Sequence, residues 1–315
     1  MENSLLPIIT APMDTVVDWD NADLYIENKI HVCLPRTKKG YIPSSEKVEF
    51  HSLSLDEFIS RYIGGIPKIH VRQYVLIDIA NGHMKKMLDS VSLAKKIHGD
   101  TLYIMAGNVA SPDAYEALSN AGADAVRIGI GNGNGCLTTQ QTGVGFPMAS
   151  LIRECHYKAE MMMDHKALII ADGGMKNYSD IIKALALGAD MVMVGSMLNK
   201  CLESCGDTRL FKRISVNPKS RFARWAFNNG FKLTKRFRGM STKEVQKNWG
   251  NEKMKTSEGV IRIRPVEYTI SQWAENFEDY LRSAMSYTNC KTLDEFRGRV
   301  KLNVISEQSQ KRFSK

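Results

Sequence analysis

The feature that most constrains this chain is a series of short, nearly continuous apolar segments alternating with helix-patterned ones. Tyr74–Asp78, Leu102–Ala106, Ala125–Ile128, Ala167–Ala171 and Met191–Val194 read as strands. Met84–His98, Pro112–Asn120, Phe146–Met163 and Tyr178–Leu187 carry helical spacing between and after them. Strands that are apolar on both faces belong in parallel sheets covered by crossover helices. Upstream, Pro7–Ala11, His31–Leu34 and a weaker Val48–Leu53 add three strands. Asp18–Glu27, with Asp18 or Asp20 as N-cap, and Leu55–Ile63 add two helices. Eight alternating strands predict a closed (β/α)8 barrel rather than an open doubly wound sheet. Residues of chemical interest follow the strand ends: Asp78, Asn108, the stretch after Ile128, Asp172 and Ser196. A barrel gathers those ends on one face.

Composition narrows the class. A length of 315 residues with 43% hydrophobic content supports one large domain. The expected organisation is a single barrel domain over residues 1–300, with a basic insertion at 206–237 and a flap at 239–259. Residues 301–315 form a polar tail, whose last dozen residues read as disordered. No segment is long and apolar enough to span a bilayer, and the N-terminus lacks the pattern of a signal peptide. Six scattered cysteines imply free thiols and a reducing compartment, so a cytoplasmic location is expected. Cys201 and Cys205 lie one helical turn apart with no second pair to complete a zinc site. The net charge of +9 is concentrated: Arg209–Arg238 holds ten Lys and Arg and no Asp or Glu. That segment reads as a solvated loop, a polyanion-binding surface or a phosphate-attracting rim.

The stretch from Arg127 to Thr139 carries the strongest chemical signal. A strand runs into Gly129, Gly131, Gly133 and Gly135, then Cys136, Thr138 and Thr139. Alternate glycines let the backbone take positive φ and turn N–H and C=O groups toward a ligand. A thiol at the end of such a loop is placed to meet a bound substrate. A flexible surface loop ending in a structural cysteine is the plain alternative.

Together the motifs resemble the inosine monophosphate dehydrogenase and GMP reductase family. The carrying segments are Pro7–Val16 (PIITAPMDTV), Asp78–Gly82 (DIANG), Ala106–Val109 (AGNV) and Gly129–Thr138 (GIGNGNGCLT). Ala171–Gly174 (ADGG), Val194–Ser196, Arg238–Ser241 (RGMS) and Ser257–Gly259 (SEG) complete the set. The resemblance implies a (β/α)8 barrel, usually tetrameric, acting on a purine nucleoside monophosphate with a nicotinamide cofactor. It implies that Cys136 attacks C2 of the purine, with Thr138 and Glu258 as a proton relay. Met13, Asn134, Asp172, Gly173, Gly174, Gly195, Ser196, Arg238, Gly239, Met240, Ser257 and Gly259 would contact the nucleotide. Asp78, Ala80, Asn81, Gly82, Gly129 and Ile130 would face the cofactor. Gly131, Gly133 and Cys136 would hold a monovalent cation, expected to be potassium, through backbone oxygens.

Within the family the chain is most similar to the reductase branch. Ser241–Thr256 (STKEVQKNWGNEKMKT) lacks the flap Arg-Tyr pair of the dehydrogenases, Phe237 replaces a dehydrogenase tyrosine, and no regulatory insert is present. Thr142–Pro147 (TGVGFP) is similar to the reductases' TGVGYP. The resemblance therefore implies NADPH (or NADH) as reductant and GMP, or a related guanine nucleotide, as substrate. Oxidation of IMP to XMP with NAD is the alternative. A non-catalytic purine-nucleotide-binding protein whose basic insertion meets a partner, nucleic acid included, is an alternative of another class. Against the family pattern, the first strand begins near the N-terminus, which makes the barrel N-terminally shortened. Asn134 stands in place of a phosphate-binding serine, and the basic segment is longer than the family hairpin.

Overall fold

The computed structural model describes residues 5–36, 49–65, 68–133, 135–240, 242, 244–245 and 259–313. Eight parallel strands form one sheet: β1 Ile8–Thr10, β2 Val32–Leu34, β3 Glu49–Leu53, β4 Gln73–Asp78, β5 Leu102–Val109, β6 Ala125–Ile128, β7 Leu168–Asp172 and β8 Met191–Val194. Their order is β1-β8-β7-β6-β5-β4-β3-β2. The circle closes between β1 and β2 through a single parallel bridge, Ile9 to His31. There the Thr10 hydroxyl substitutes for missing ladder bonds, donating to the Cys33 carbonyl (3.3 Å) and accepting from the Cys33 N–H (2.9 Å). Helices α1 Ala22–Glu27, α2 Leu55–Tyr62, α3 Lys85–His98, α4 Pro112–Asn120, α5 Thr138–Thr142, α6 Met148–Met161 and α7 Tyr178–Ala186 follow their strands. The expected (β/α)8 barrel is therefore the fold.

Two apolar layers hold it. Inside the barrel, Ile9, Cys33, Phe50, Leu76, Met105, Ala125, Ile170 and Met193 fill the bore. Outside, a continuous core joins the strands to the helices. The floor is aromatic: Phe50, Tyr74 and Tyr103 pack at centroid distances of 5.3 to 5.7 Å, and Arg72 lies over the two tyrosine rings. A side-chain-packed bore is closed to solvent, so chemistry is confined to the mouths.

Local signals explain most element ends. Ser111 caps α4 with Pro112 at its first turn, and Ser54 with Glu57 forms a capping box on α2. The first helix is shorter than expected, because the Asp18 carboxylate accepts from the Asp20 and Asn21 N–H groups and forms a turn rather than a cap. The expected Phe146–Met163 helix begins at Met148, and Thr138–Thr142 forms a separate helix closed by Gly143 at φ +72°. After β8 comes α9, Ile270–Tyr287, opened by a Thr269/Gln272 capping box. It buries Ile270, Trp273, Phe277, Leu281 and Met285 and packs on α7 as the last barrel helix. Helices α10 Leu293–Phe296 and α11 Glu307–Phe313 end the chain; the tail expected to be disordered contains α11, with a Glu307–Lys311 pair one turn apart.

The basic segment is not a solvated loop. Strands β9 Thr208–Leu210, β10 Ile214–Ser215, β11 Leu233–Arg238 and β12 Ile261–Pro265 make an antiparallel sheet in the order β10-β9-β11-β12. Helix α8, Arg221–Asn228, packs on it over a small core of Leu202, Leu210, Val216, Ala223 and Leu233. Lys235 lies inside this junction, 1% exposed, and donates to the Ser204 carbonyl. Burial pushes its ammonium down to about 8, against the attraction of Cys205, Cys201 and Glu203.

A lowered lysine pKa means that the unfolded chain binds more protons between about pH 8 and 10.5, so this group makes stability rise with pH in that window. The buried thiols of Cys33, Cys155, Cys201 and Cys205, whose pKa values burial raises, act oppositely above pH 9. The isolating measurement is therefore a difference. Urea unfolding of wild type minus Lys235→Met is expected to become more favourable to wild type by up to about 3 kcal/mol from pH 8 to 10.5.

Candidate active site

The C-terminal mouth of the barrel is built around one cation. Arg127 projects from β6 into the bore, its side chain 12% exposed. Its Nη1 donates to Asp78 Oδ1 at the end of β4 (2.7 Å), and its Nε donates to Asp172 Oδ2 at the end of β7 (3.1 Å). Burial opposes the charge, but Asp172 and then Asp78 outweigh it and push the guanidinium pKa up. Gly107, beside Arg127 in register, leaves it room: a Cβ there would lie 2.5 Å from the Arg127 carbonyl oxygen and 2.7 Å from its Cβ. Asn108 completes the network, its Nδ2 donating to Asp172 Oδ2 (2.9 Å) and to the Gly129 carbonyl (2.8 Å). Arg36 reaches Asp78 from the other side, donating to its backbone carbonyl.

The glycine loop is seated on this layer by close backbone approaches. Gly129, at φ +121°, fits against the Asp172 carbonyl, which a Cβ would approach to 2.4 Å. Gly173, at φ +85°, backs onto the Gly133 N–H. Gly135 meets Gly239, whose own Cβ would fall 2.3 Å from the Gly135 carbonyl oxygen. That carbonyl accepts from the Val260 N–H (3.1 Å), while Gly239 donates to the Val260 carbonyl (3.0 Å) and Cys136 bridges Gly259 in antiparallel pairing. Three chain segments far apart in sequence thus meet at glycines because no side chain fits between them.

Cys136 emerges from this seat partly exposed, its Sγ 3.1 Å from Thr138 Oγ1, so either group can donate to the other. Its N–H donates to the Gly133 carbonyl (3.0 Å).

The expected site residues largely converge. Cys136, Thr138, Asp172–Gly174, Gly129–Gly133, Gly239 and Gly259 share one mouth. Gly195 lies against Met13, whose Sδ a Cβ at Gly195 would meet at 2.9 Å, so the ends of β8 and β1 are adjacent. Ser196 follows Gly195 in the turn that opens the short helix after β8, and Met240 follows Gly239 partly buried. Asp78 and Gly82 sit at the end of β4 and in the loop after it, with the Gly82 N–H donating to the Asn108 carbonyl (2.8 Å). Ala80 and Asn81 are exposed on the rim there, and Ile130 is partly buried in the glycine loop. Asn134, Ser257 and Glu258 lie outside the described residues. Arg238 is present but engaged: its buried guanidinium donates to Asp14 and pairs with Glu244. Sequence reading passed over Arg127, Arg36, Asp14 and Glu244. Arg127 has one available signal, a lone cation inside an otherwise apolar strand.

A (β/α)8 barrel with a thiol, a hydroxyl and a glycine cradle at its C-terminal mouth is a ligand-processing barrel. A family model described as IMP dehydrogenase / GMP reductase domain matches residues 69–314. A GMP reductase of Lactobacillus delbrueckii subsp. bulgaricus is 31% identical over 303 residues, spanning 92% of this chain and 82% of the relative. A GMP reductase of Phytophthora infestans is 30% identical, spanning 98% and 83%, and one of Caenorhabditis elegans 28%, spanning 96% and 82%. The chain belongs to the IMP dehydrogenase / GMP reductase family, and so to the purine nucleotide oxidoreductases.

Removing Arg127 leaves two partly buried carboxylates without their shared cation. Arg127→Met is expected to lose about 3–5 kcal/mol of unfolding free energy in urea, and adding Asp78→Asn to recover part of that loss.

Proposed function

We propose that this protein is a GMP reductase-type enzyme, converting GMP or a related guanine nucleotide to the inosine nucleotide and ammonia. The observation that carries the reading is the Cys136–Thr138 pair on its glycine seat, 3.1 Å apart. A polarisable thiolate is the side chain best suited to add to an electron-poor purine carbon. In the proposed reaction the Cys136 sulfur bonds to C2, the 2-amino group takes a proton and leaves as ammonia, and a thioimidate remains. NADPH, which the rim of Asp78, Ala80, Asn81 and Gly82 would hold, would supply the hydride that reduces C2. The C2–S bond then breaks, releasing the inosine nucleotide and the thiolate. Thr138, beside the sulfur, is the proposed relay for the proton that the amine needs, with Glu258 as its proposed partner in the relay.

The remaining residues fit supporting roles. Asp172 Oδ2 is occupied by Arg127 and Asn108, and among the described residues its Oδ1 accepts no hydrogen bond, which leaves it for ribose hydroxyls. Gly174, Gly195 and Ser196 are the proposed phosphate contacts, with Met13 and Met240 beside the base. Asp78, Ala80, Asn81 and Gly82 form the rim proposed to face the nicotinamide ribose. Gly131 and Gly133 are the proposed backbone carbonyl ligands of a monovalent cation, on a loop seated so closely that a Cβ at Gly131 would fall 1.8 Å from Thr139 Oγ1. A homotetramer and the one-domain organisation over residues 1–300 are part of the same proposal.

Incubation with GMP and NADPH is expected to consume NADPH and release ammonia in equal amounts. Cys136→Ala should lower turnover by about 1000-fold or more and Thr138→Val by about 100-fold. Absence of turnover with GMP and dGMP, or steady XMP formation from IMP and NAD, would sink the reading.

A further inference from the structure

The subdomain built from the basic segment carries a surface that the proposed reaction does not use. Four aromatic side chains there face solvent: Phe211 (53% exposed), Phe222 (50%), Trp225 (53%) and Phe231 (38%). They form one connected row. Phe222 stacks on Trp225 with centroids 5.9 Å apart, Trp225 meets Phe231 at 5.3 Å, and Phe231 meets Phe211 at 6.0 Å. The rings come from three places: the β9–β10 hairpin, helix α8 and the turn before β11. The turn at Gly230 (φ +75°) brings Phe231 back against α8, where its N–H donates to the Ala226 carbonyl (3.0 Å). Phe211 and Lys212 hold left-handed φ of +52° and +62°, unusual for residues with side chains, and sit at the hairpin tip. The row is thus mounted on a packed platform.

Cations are interleaved with the rings. Arg209, Lys219, Arg224, Arg236 and Arg238 are each spent on an acidic neighbour, and Lys235 is buried. Lys212, Arg213, Arg221 and Lys232 are exposed and have no acidic partner among the described residues. Each lies within two positions of an exposed ring in sequence. Between Arg209 and Arg238 there is no acidic residue at all.

We propose that this face binds single-stranded nucleic acid, its rings stacking on successive bases and its free cations meeting the phosphates. Duplex would hide the base faces that the rings need. An interfacial membrane helix lays one continuous apolar stripe on the lipid. In α8 the stripe formed by Ala223 and Ala226 is buried, and the exposed rings are spread over three segments. A symmetric contact with a second copy would set like charges against each other.

Fluorescence anisotropy of a labelled oligouridylate of about 20 nucleotides, titrated with the full chain, tests this. Binding is expected at low salt, with log affinity falling against log salt at a slope of about −3 for four phosphates. Trp225→Ala and Phe231→Ala should each weaken it about tenfold, and Lys212→Ala or Arg221→Ala should each flatten the slope by about 0.7. These residues lie outside the proposed active site, so turnover with GMP should be unchanged. No binding at low salt overturns the proposal, as does binding indifferent to Trp225→Ala. So does equal affinity for duplex, ring-dependent capture by phosphatidylserine vesicles or poly-L-glutamate instead of the oligonucleotide, or a changed sedimentation coefficient in Trp225→Ala.

Discussion

The pairing of Arg127 with Asp78 and Asp172 is the interaction on which the mouth of the barrel depends. Strands β4, β6 and β7 each end in one of its members or carry it in their last turns of register. A buried guanidinium costs desolvation that only good geometry offsets. Here two carboxylates and the Asn108 amide supply that geometry, and each is fixed by its own strand. The lower bore is apolar and indifferent to exact chemistry; the upper bore is ionic and is not. The loop that carries Cys136 rests on the Asp172 carbonyl through Gly129, so the ionic layer also sets the height of the thiol.

Above that layer the structure uses the absence of side chains as a positioning device. Gly135, Gly239 and Gly259 come from three segments and approach at distances at which a methyl group would collide with backbone. Backbone hydrogen bonds between residues 135, 239 and 260 then lock the arrangement. The Cys136 thiol held this way is fixed by main chain rather than by packed side chains, and its own side chain stays partly exposed. Arg238, anchored by Asp14 and Glu244, ties the same segment to the end of β1.

Much of this was legible in the sequence, for identifiable reasons. Strands buried on both faces announce themselves as apolar runs, so Ala125–Ile128 and Met191–Val194 have the boundaries their composition predicts. Ser111 and Pro112 gave the start of α4 by local capping chemistry. The glycine loop, the thiol and the DGG turn were visible because each carries its conformational requirement in its own composition. What was not legible is what depends on distant partners. Arg127 reads as an anomaly until Asp78 and Asp172 are placed beside it, and Arg238 finds Asp14 from 224 positions away. The subdomain is not legible as a fold because β10 is two residues long, β9 meets β11 across more than twenty intervening residues, and β12, which completes the sheet, lies beyond the flap.

The closure of the barrel at β1 and β2 has a further consequence. Most strand pairs are joined by a run of ladder bonds, but this one rests on a single bridge, a backbone hydrogen bond from Leu6 to Lys29 and a threonine clasp. A closed sheet with one thin joint is expected to open there first. Met13 and Asp14 lie just past β1, against Gly195 and Arg238. Any ligand gripping that end therefore also fastens the ring, and occupancy of the mouth becomes coupled to amide protection along the β1–β2 joint.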